Sequence, residues 1–256
     1  MRRILYAGDS TVTFNKFDTY PQTGLSQGLL LYLKDDVFLR SFAVNGRSTK
    51  SFLEEGRLTE MEACLQEGDL FLIQFGHNDE KKEDPRRYAA PFGAYQENLK
   101  VMIDAAREKK ALPVLITPVA RRLFDGRGAF LGGSHGEYPE AMKRLAEREK
   151  VPVIDLNSWS EAYLRQVGDL GSRPMYVYPK DNSHLTYFGA AVMAEFLAKE
   201  LWKLGGPYAE VLLPLRAGCG ELSAGESGTE ERSTMGSDHG MDTLLGAAFL
   251  EEKDER

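Results

Sequence analysis

Two cysteines in 256 residues, Cys64 and Cys219, are too few for a disulfide framework, and their scarcity fits a reducing compartment. Basic charge is short as well. Against 39 Asp and Glu stand only 32 Lys and Arg, a net charge of −7, so no basic stripe is available to displace counterions from phosphates. That excludes a general nucleic-acid binder. Long apolar runs are also missing: none approaches membrane-spanning length, and Met1-Arg2-Arg3 with four apolar residues before Gly8-Asp9 falls far short of a secretory signal core. The expectation is a soluble, cytoplasmic chain with no membrane partner, its oligomeric state left open by composition.

What is present is 42% hydrophobic residues, enough for one substantial core and somewhat short of two. Short apolar runs at Ile4 to Ala7, Val37 to Val44, Leu70 to Phe75, Pro113 to Thr117 and Val151 to Asp155 predict five buried strands. Helical-period segments alternate with them, near Leu25 to Leu33, Thr59 to Gln66, Phe92 to Lys110, Glu137 to Glu149, Asn157 to Gln166 and Thr186 to Leu204. Gly205-Gly206-Pro207 is expected to end the last helix. Strands alternating with helices imply a parallel sheet covered on both faces, a doubly wound α/β pattern. After about Leu215 the texture turns to Gly, Ser, Glu and Thr with few large apolar side chains, which cannot bury enough surface to offset ordering entropy. The expected organisation is therefore one folded domain over residues 1–216 and a mobile low-complexity tail over 217–256, which takes in His239.

Ser10 lies in Gly8-Asp9-Ser10-Thr11, directly after the first predicted strand, where open α/β sheets put their ligands. Asp181-Asn182-Ser183-His184 precedes the last helix. The three-residue spacing lets Asp181 fix the tautomer of His184, leaving the other ring nitrogen to serve Ser10 as general base. The loops after strands two and three bring Asn45-Gly46-Arg47-Ser48 and Gly76-His77-Asn78-Asp79 to the same sheet edge. The Ser10 amide, the Gly46 amide and the Asn78 side-chain amide are then three donors for an oxyanion. Gly24-Leu25-Ser26-Gln27-Gly28 matches a nucleophile elbow, but no strand leads into it, so Ser26 is read as part of a helix start. The glycines at 126, 128, 132 and 133 miss the spacing of a phosphate loop. His77 and His135, with Asp79 and Glu137, fit no metal signature, and this chemistry calls for neither metal nor cofactor.

Gly8-Asp9-Ser10, Gly46, Gly76-His77-Asn78-Asp79 and Asp181-x-x-His184 together resemble the four sequence blocks of the SGNH (GDSL-type) hydrolases. The resemblance runs from Arg3 to about Leu204. It implies a flavodoxin-like three-layer α/β/α fold on a five-stranded parallel sheet, with Ser10 as nucleophile, His184 as base, Asp181 as its orienter, and Ser10, Gly46 and Asn78 around the oxyanion. Asn45-Gly46-Arg47-Ser48, Thr117-Pro118-Val119-Ala120-Arg121-Arg122, His135-Gly136-Glu137-Tyr138-Pro139 and Val153-Ile154-Asp155-Leu156 are similar to the bacterial rhamnogalacturonan acetylesterase branch. That likeness implies hydrolysis of O-acetyl esters on pectic oligosaccharides through an acetyl-serine intermediate. The competing readings are a broader short-chain esterase or thioesterase, an acetylxylan esterase, and a flavodoxin-like carbohydrate-binding module without chemistry.

Three further residues are candidates for substrate contact. Arg121 and Arg122 suit a galacturonate carboxylate, since guanidinium binds carboxylates bidentately, although an internal ion pair has equal weight. His135, in the Gly-rich insertion after strand four, is read either as a rim contact to substrate or as structural. His77 is expected to brace the Asn78 loop by hydrogen bonding.

Overall fold

Side chains alternate across a strand, and the first strand uses both of its faces. In the computed structural model, which describes residues 2–214, β1 (Arg2–Gly8) sends Ile4 and Tyr6 into one core and Leu5 and Ala7 into another. Burial on both sides marks it as a central strand. It pairs in parallel with β2 (Val37–Ser41) on one side and β3 (Leu70–Gln74) on the other, and β4 (Leu112–Ile116) and β5 (Val153–Ile154) extend the sheet beyond β3. The order β2-β1-β3-β4-β5 is the flavodoxin-like one, and its direction reverses between β1 and β3.

Helices cover both faces. On the Ile4 side lie α1 (Leu25–Leu29), α6 (Leu156–Ser172) and α7 (Tyr187–Leu204), which contribute Leu29, Leu164, Met193 and Leu197 to the core. On the Leu5 side lie α2 (Thr49–Glu54), α3 (Arg57–Glu62), α4 (Gln96–Glu108) and α5 (Tyr138–Glu149), which contribute Phe52, Met61, Ile103 and Leu145. Each such side chain, fully withdrawn from water, is worth roughly 1.5–3 kcal/mol. The two glycines of the elbow-like motif are explained by contact. A Cβ on Gly28 would stand 2.3 Å from the Ala190 carbonyl oxygen of α7, and one on Gly24 would stand 2.1 Å from that of Thr13. The motif lets α1 lie close on its neighbours, and the buried Ser26 hydroxyl donates to the Val12 carbonyl.

The elements differ from expectation in five places. The β2 strand is an edge strand with Phe38 half-exposed, not a buried one, and it ends at Ser41. Beyond it the Phe42 and Val44 amides still bond the Tyr6 and Gly8 carbonyls at 2.8 and 3.2 Å. The short helix α2 was not anticipated. Ser48 caps it, its hydroxyl accepting from the Ser51 amide at 3.2 Å. The expected first helix tightens into a 3₁₀ turn at Leu30–Tyr32, and the expected third begins at Gln96 after an irregular turn at Pro91–Tyr95. Finally, Gly205 ends α7 as expected, but Gly206 and Pro207 open a further short helix, α8 (Gly206–Glu210). The expected tail, residues 217–256 with Cys219 and His239, lies outside the described residues.

Candidate active site

The turn that follows β1 is clamped from below. Asp9 is fully buried, and its Oδ1 accepts from the Thr11 amide at 2.9 Å and the Thr11 hydroxyl at 2.8 Å, while its carbonyl accepts from the Val12 and Thr13 amides. Ser10 is thereby held at the carboxyl end of the central strand with 7% of its surface exposed. Its Oγ lies 2.8 Å from His184 Nε2. The other ring nitrogen, Nδ1, lies 2.5 Å from Asp181 Oδ2, and Asp181 Oδ1 accepts from the amides of Ser183 at 2.6 Å and His184 at 3.0 Å. Burial works against the Asp181 charge. The His184 bond and the two amides outweigh it and hold the carboxyl below its ordinary value. With an anionic Asp181 accepting from Nδ1–H, the lone pair of Nε2 faces the Ser10 hydroxyl.

Three loops converge on this edge, as the sequence predicts. The Val44 amide bonds the Gly8 carbonyl at 3.2 Å, and Asn78 Nδ2 donates to the Arg47 carbonyl at 3.1 Å. Among the described residues, the Ser10 and Gly46 amides donate to no acceptor. The Asn78 amide nitrogen carries two hydrogens, and the Arg47 bond uses one. Two backbone donors and one side-chain donor in the loops at this sheet edge are thus unspent. Gly46 is required for its conformation, φ +79°, and not for close approach, because a Cβ there would meet nothing within 4 Å.

Partners that the sequence did not suggest hold these donors. Arg87 Nη1 donates to Asn78 Oδ1 at 3.2 Å, and Arg87 Nε is itself paired with Asp84 Oδ2 at 2.8 Å. Asp79 Oδ1 accepts from the amide of Thr49, at the start of α2, at 2.9 Å and from its hydroxyl at 2.5 Å, tying the Asn78 loop to the Gly46 loop. Glu80 is the shared carboxylate of Arg121 and His135. Glu80 was discoverable in principle, as an acid directly after Gly76-His77-Asn78-Asp79. The Asp84–Arg87 arm, in a turn without periodicity, carried no signal.

Four sequence expectations are corrected. His135 is buried, with Nδ1 2.9 Å from Glu80 Oε2 and Nε2 2.9 Å from the Val119 carbonyl, so both ring nitrogens are spent inside the fold and it is no rim contact. Arg122 is 3% exposed. Its Nη2 is held by the Asp169 carboxylate and carbonyl and its Nε by Ser172 Oγ, and its guanidinium lies over the Tyr178 ring at 4.5 Å. Buried in this way it is part of the interior and not a surface for a ligand carboxylate. Arg121 remains at the site but as a brace: it pairs with Glu80 and donates to Ser183 Oγ at 3.1 Å, the Ser134 carbonyl at 3.2 Å and the His77 carbonyl at 3.3 Å. His77 supports its loop by packing and not by a side-chain hydrogen bond. Its Nδ1 is 3.6 Å from Asp9 Oδ2, beyond bonding distance, while its ring meets that of His135 edge-on at 4.3 Å between centroids. Burial, with the neighbouring His135 charge, pushes the His77 imidazole down to about 4, Asp9 offsetting this only in part. It is neutral at physiological pH.

Residues 6–191 match the model of the GDSL-like Lipase/Acylhydrolase family. Rhamnogalacturonan acetylesterase RhgT of Bacillus subtilis is 37% identical over 223 residues, covering 82% of this chain and 94% of that protein. The probable rhamnogalacturonan acetylesterase YesY of the same organism is 39% identical over 220 residues, covering 83% and 98%. Among solved structures, that of the Bacillus subtilis protein YxiM superposes with a TM-score of 0.68 at 29% identity, covering 80% of this chain and 57% of that one, so this chain spans a little over half its length. The chain belongs to the GDSL-like lipase/acylhydrolase family and is a serine esterase.

Proposed function

We propose that this esterase removes acetyl groups from pectic oligosaccharides of the rhamnogalacturonan type, with Ser10, His184 and Asp181 as its catalytic residues. The observation that carries the reading is the unbroken line from Asp181 through His184 to Ser10, in a chain with relatives named for this activity at 37% and 39% identity. Ser10 Oγ attacks the acetyl carbonyl carbon as His184 Nε2 takes its proton. The carbonyl oxygen becomes anionic and is met by the Ser10 and Gly46 amides and by the second Asn78 N–H, donors already fixed before charge develops. His184 returns the proton to the departing sugar hydroxyl, leaving acetyl-Ser10. Water then attacks the acetyl carbon, giving its proton to His184, and acetate leaves with Ser10 restored.

A rim built from Arg121, Ser134, Ser183 and Asn182 is polar, which favours a sugar over a long acyl chain. We place the enzyme in the cytoplasm, in line with the free thiol of Cys64. Among the described residues no helix is long and apolar enough to cross a membrane.

Release of acetate from a panel of acetylated rhamnogalacturonan oligosaccharides, acetylated xylo-oligosaccharides and p-nitrophenyl esters of increasing chain length tests the substrate. The pectic esters should give the highest kcat/KM, and p-nitrophenyl acetate should exceed the octanoate. A preference for xylan esters or for long chains would replace this reading. Fluorophosphonate labelling mapped to Ser10 tests the nucleophile.

A further inference from the structure

His184 and Asn78 belong to different loops, and among the described residues no hydrogen bond joins residues 76–80 directly to residues 181–184. One guanidinium bridges them. Arg121, in the loop after β4, donates from Nε to Ser183 Oγ at 3.1 Å and from Nη2 to the His77 carbonyl at 3.3 Å. The first acceptor lies between Asp181 and His184, and the second belongs to the peptide that carries Asn78. Ser10 apart, Arg121 is the only residue outside the base loop, among those described, whose side chain bonds residues 181–184. The neighbouring main chain reinforces the link, the Arg122 amide donating to the Asn182 carbonyl at 2.8 Å.

The guanidinium is itself fixed by a closed circuit. Arg121 pairs with Glu80, Glu80 Oε2 lies 2.9 Å from His135 Nδ1, and His135 Nε2 lies 2.9 Å from the carbonyl of Val119, two residues before Arg121. Burial works against the Glu80 charge, but the His135 bond and the Arg121 charge outweigh it and hold the carboxyl below its ordinary value. Five N–H donors in a rigid fork let one arginine hold a carboxylate and two loops at set angles.

We propose that Arg121 is a positioning residue of the esterase reaction, setting the register of the His184 base against the Asn78 oxyanion donor while Glu80 holds its guanidinium in place. It acts through Ser183 on one side and through the His77–Asn78 peptide on the other. A displacement of about 1 Å at reacting groups can cost roughly 10²-fold in rate, so a strut between the two loops bears on kcat directly. The proposal rests on the roles given above to Ser10, His184 and Asn78, and it is independent of which sugar bears the acetyl group.

The test uses p-nitrophenyl acetate, which makes no sugar contacts, with Ser183→Ala, Ser183→Thr, Arg121→Met and the double variant Arg121→Met/Ser183→Ala in the full chain. Each is melted as well as assayed, and the assays are run well below the lowest Tm. Ser183→Ala removes only the bond to the base loop, so kcat should fall roughly 10-fold with KM little changed and Tm within a few degrees of wild type. Ser183→Thr retains a hydroxyl and should recover most of kcat. Arg121→Met frees both loops and should cost more, and Ser183→Ala should add almost nothing to it, because the bond it removes is already gone. A wild-type kcat in Ser183→Ala, a loss seen in KM alone, or a double variant whose losses multiply overturns the positioning role and leaves the catalytic assignment standing. Turnover near wild type in His184→Ala overturns both.

Discussion

Arg87 Nη1 donates to Asn78 Oδ1 at 3.2 Å, at the opposite end of the amide whose Nδ2 donates to the Arg47 carbonyl at 3.1 Å. The bond does two things to this proposed oxyanion donor. It fixes which way the amide points, and it draws electron density toward Oδ1 so that the Nδ2 hydrogens carry more positive charge. Removing an oxyanion donor outright costs roughly 10²-fold or more in the chemical step, and Asn78→Ala should fall in that range. Arg87→Ala should cost roughly 10-fold in kcat with little change in KM on p-nitrophenyl acetate, because the interaction strengthens only as charge develops. On an Asn78→Ala background the Arg87→Ala change should add almost nothing. Additive losses in the double variant would make Arg87 a general structural support.

Ser10→Ala and His184→Ala should each reduce turnover of p-nitrophenyl acetate by roughly 10³-fold or more with circular dichroism unchanged, and the double variant should be scarcely worse than either. Nucleophile and base act as one unit across the 2.8 Å contact, so the second loss removes nothing further. Ser26→Ala, by contrast, should retain catalysis, since its hydroxyl is spent on the Val12 carbonyl inside α1. Activity abolished by Ser26→Ala alone would reassign the nucleophile.

Why the convergence of Ser10, Gly46 and Asn78 was legible and its supports were not has a physical basis. Ser10, Gly46 and Asn78 each end a predicted strand, and parallel topology brings strand ends together whatever lies between them, so short motifs sufficed. The strand order also follows from alternating β and α segments. The roles of Arg121, Arg122 and His135 depended instead on which carboxylates the loops after β3 and in α6 deliver, and Glu80 and Asp169 are remote from them in sequence. Charge type alone could not separate an internal ion pair from a ligand contact. The helix α2 was missed for a related reason: its six residues are too few to display a period, and only the Ser48 cap announces it.

Arg122 carries the sharpest of these corrections. Its guanidinium is buried against Asp169, Ser172 and the rings of Phe124 and Tyr178. Breaking such a pair leaves an uncompensated charge, so Arg122→Ala should cost about 3 kcal/mol, softened somewhat because Arg173 also holds Asp169. For a domain of this size that corresponds to a fall in Tm of roughly 10 °C. The ratio of activities on acidic and neutral acetylated sugars should not move. A variant that melts like wild type but loses its preference for uronates would restore Arg122 as a substrate contact.

The last prediction concerns pH and stability. Burial pushes the Asp79 carboxyl up to about 8, its two bonds from Thr49 offsetting this only partly. Between the ordinary carboxylate value near ~4 and that raised one, the folded chain holds a proton the unfolded chain has released, so Asp79 makes stability fall as pH rises. His77 has the opposite sign. Between about 4 and its ordinary value near ~6.5 the unfolded chain binds a proton the folded chain refuses, so stability rises with pH there. The two slopes oppose each other below ~6.5, and Asp79 acts without that opposition from ~6.5 to ~8. Asp79→Asn keeps an oxygen for Thr49 and removes the titration. Relative to wild type, the variant should therefore gain about 2 kcal/mol in urea-unfolding stability between pH 6.5 and pH 8. Parallel stability profiles for the two proteins across that interval would mean that Asp79 is already ionised in the fold, and that Thr49 stabilises its charge more than burial opposes it.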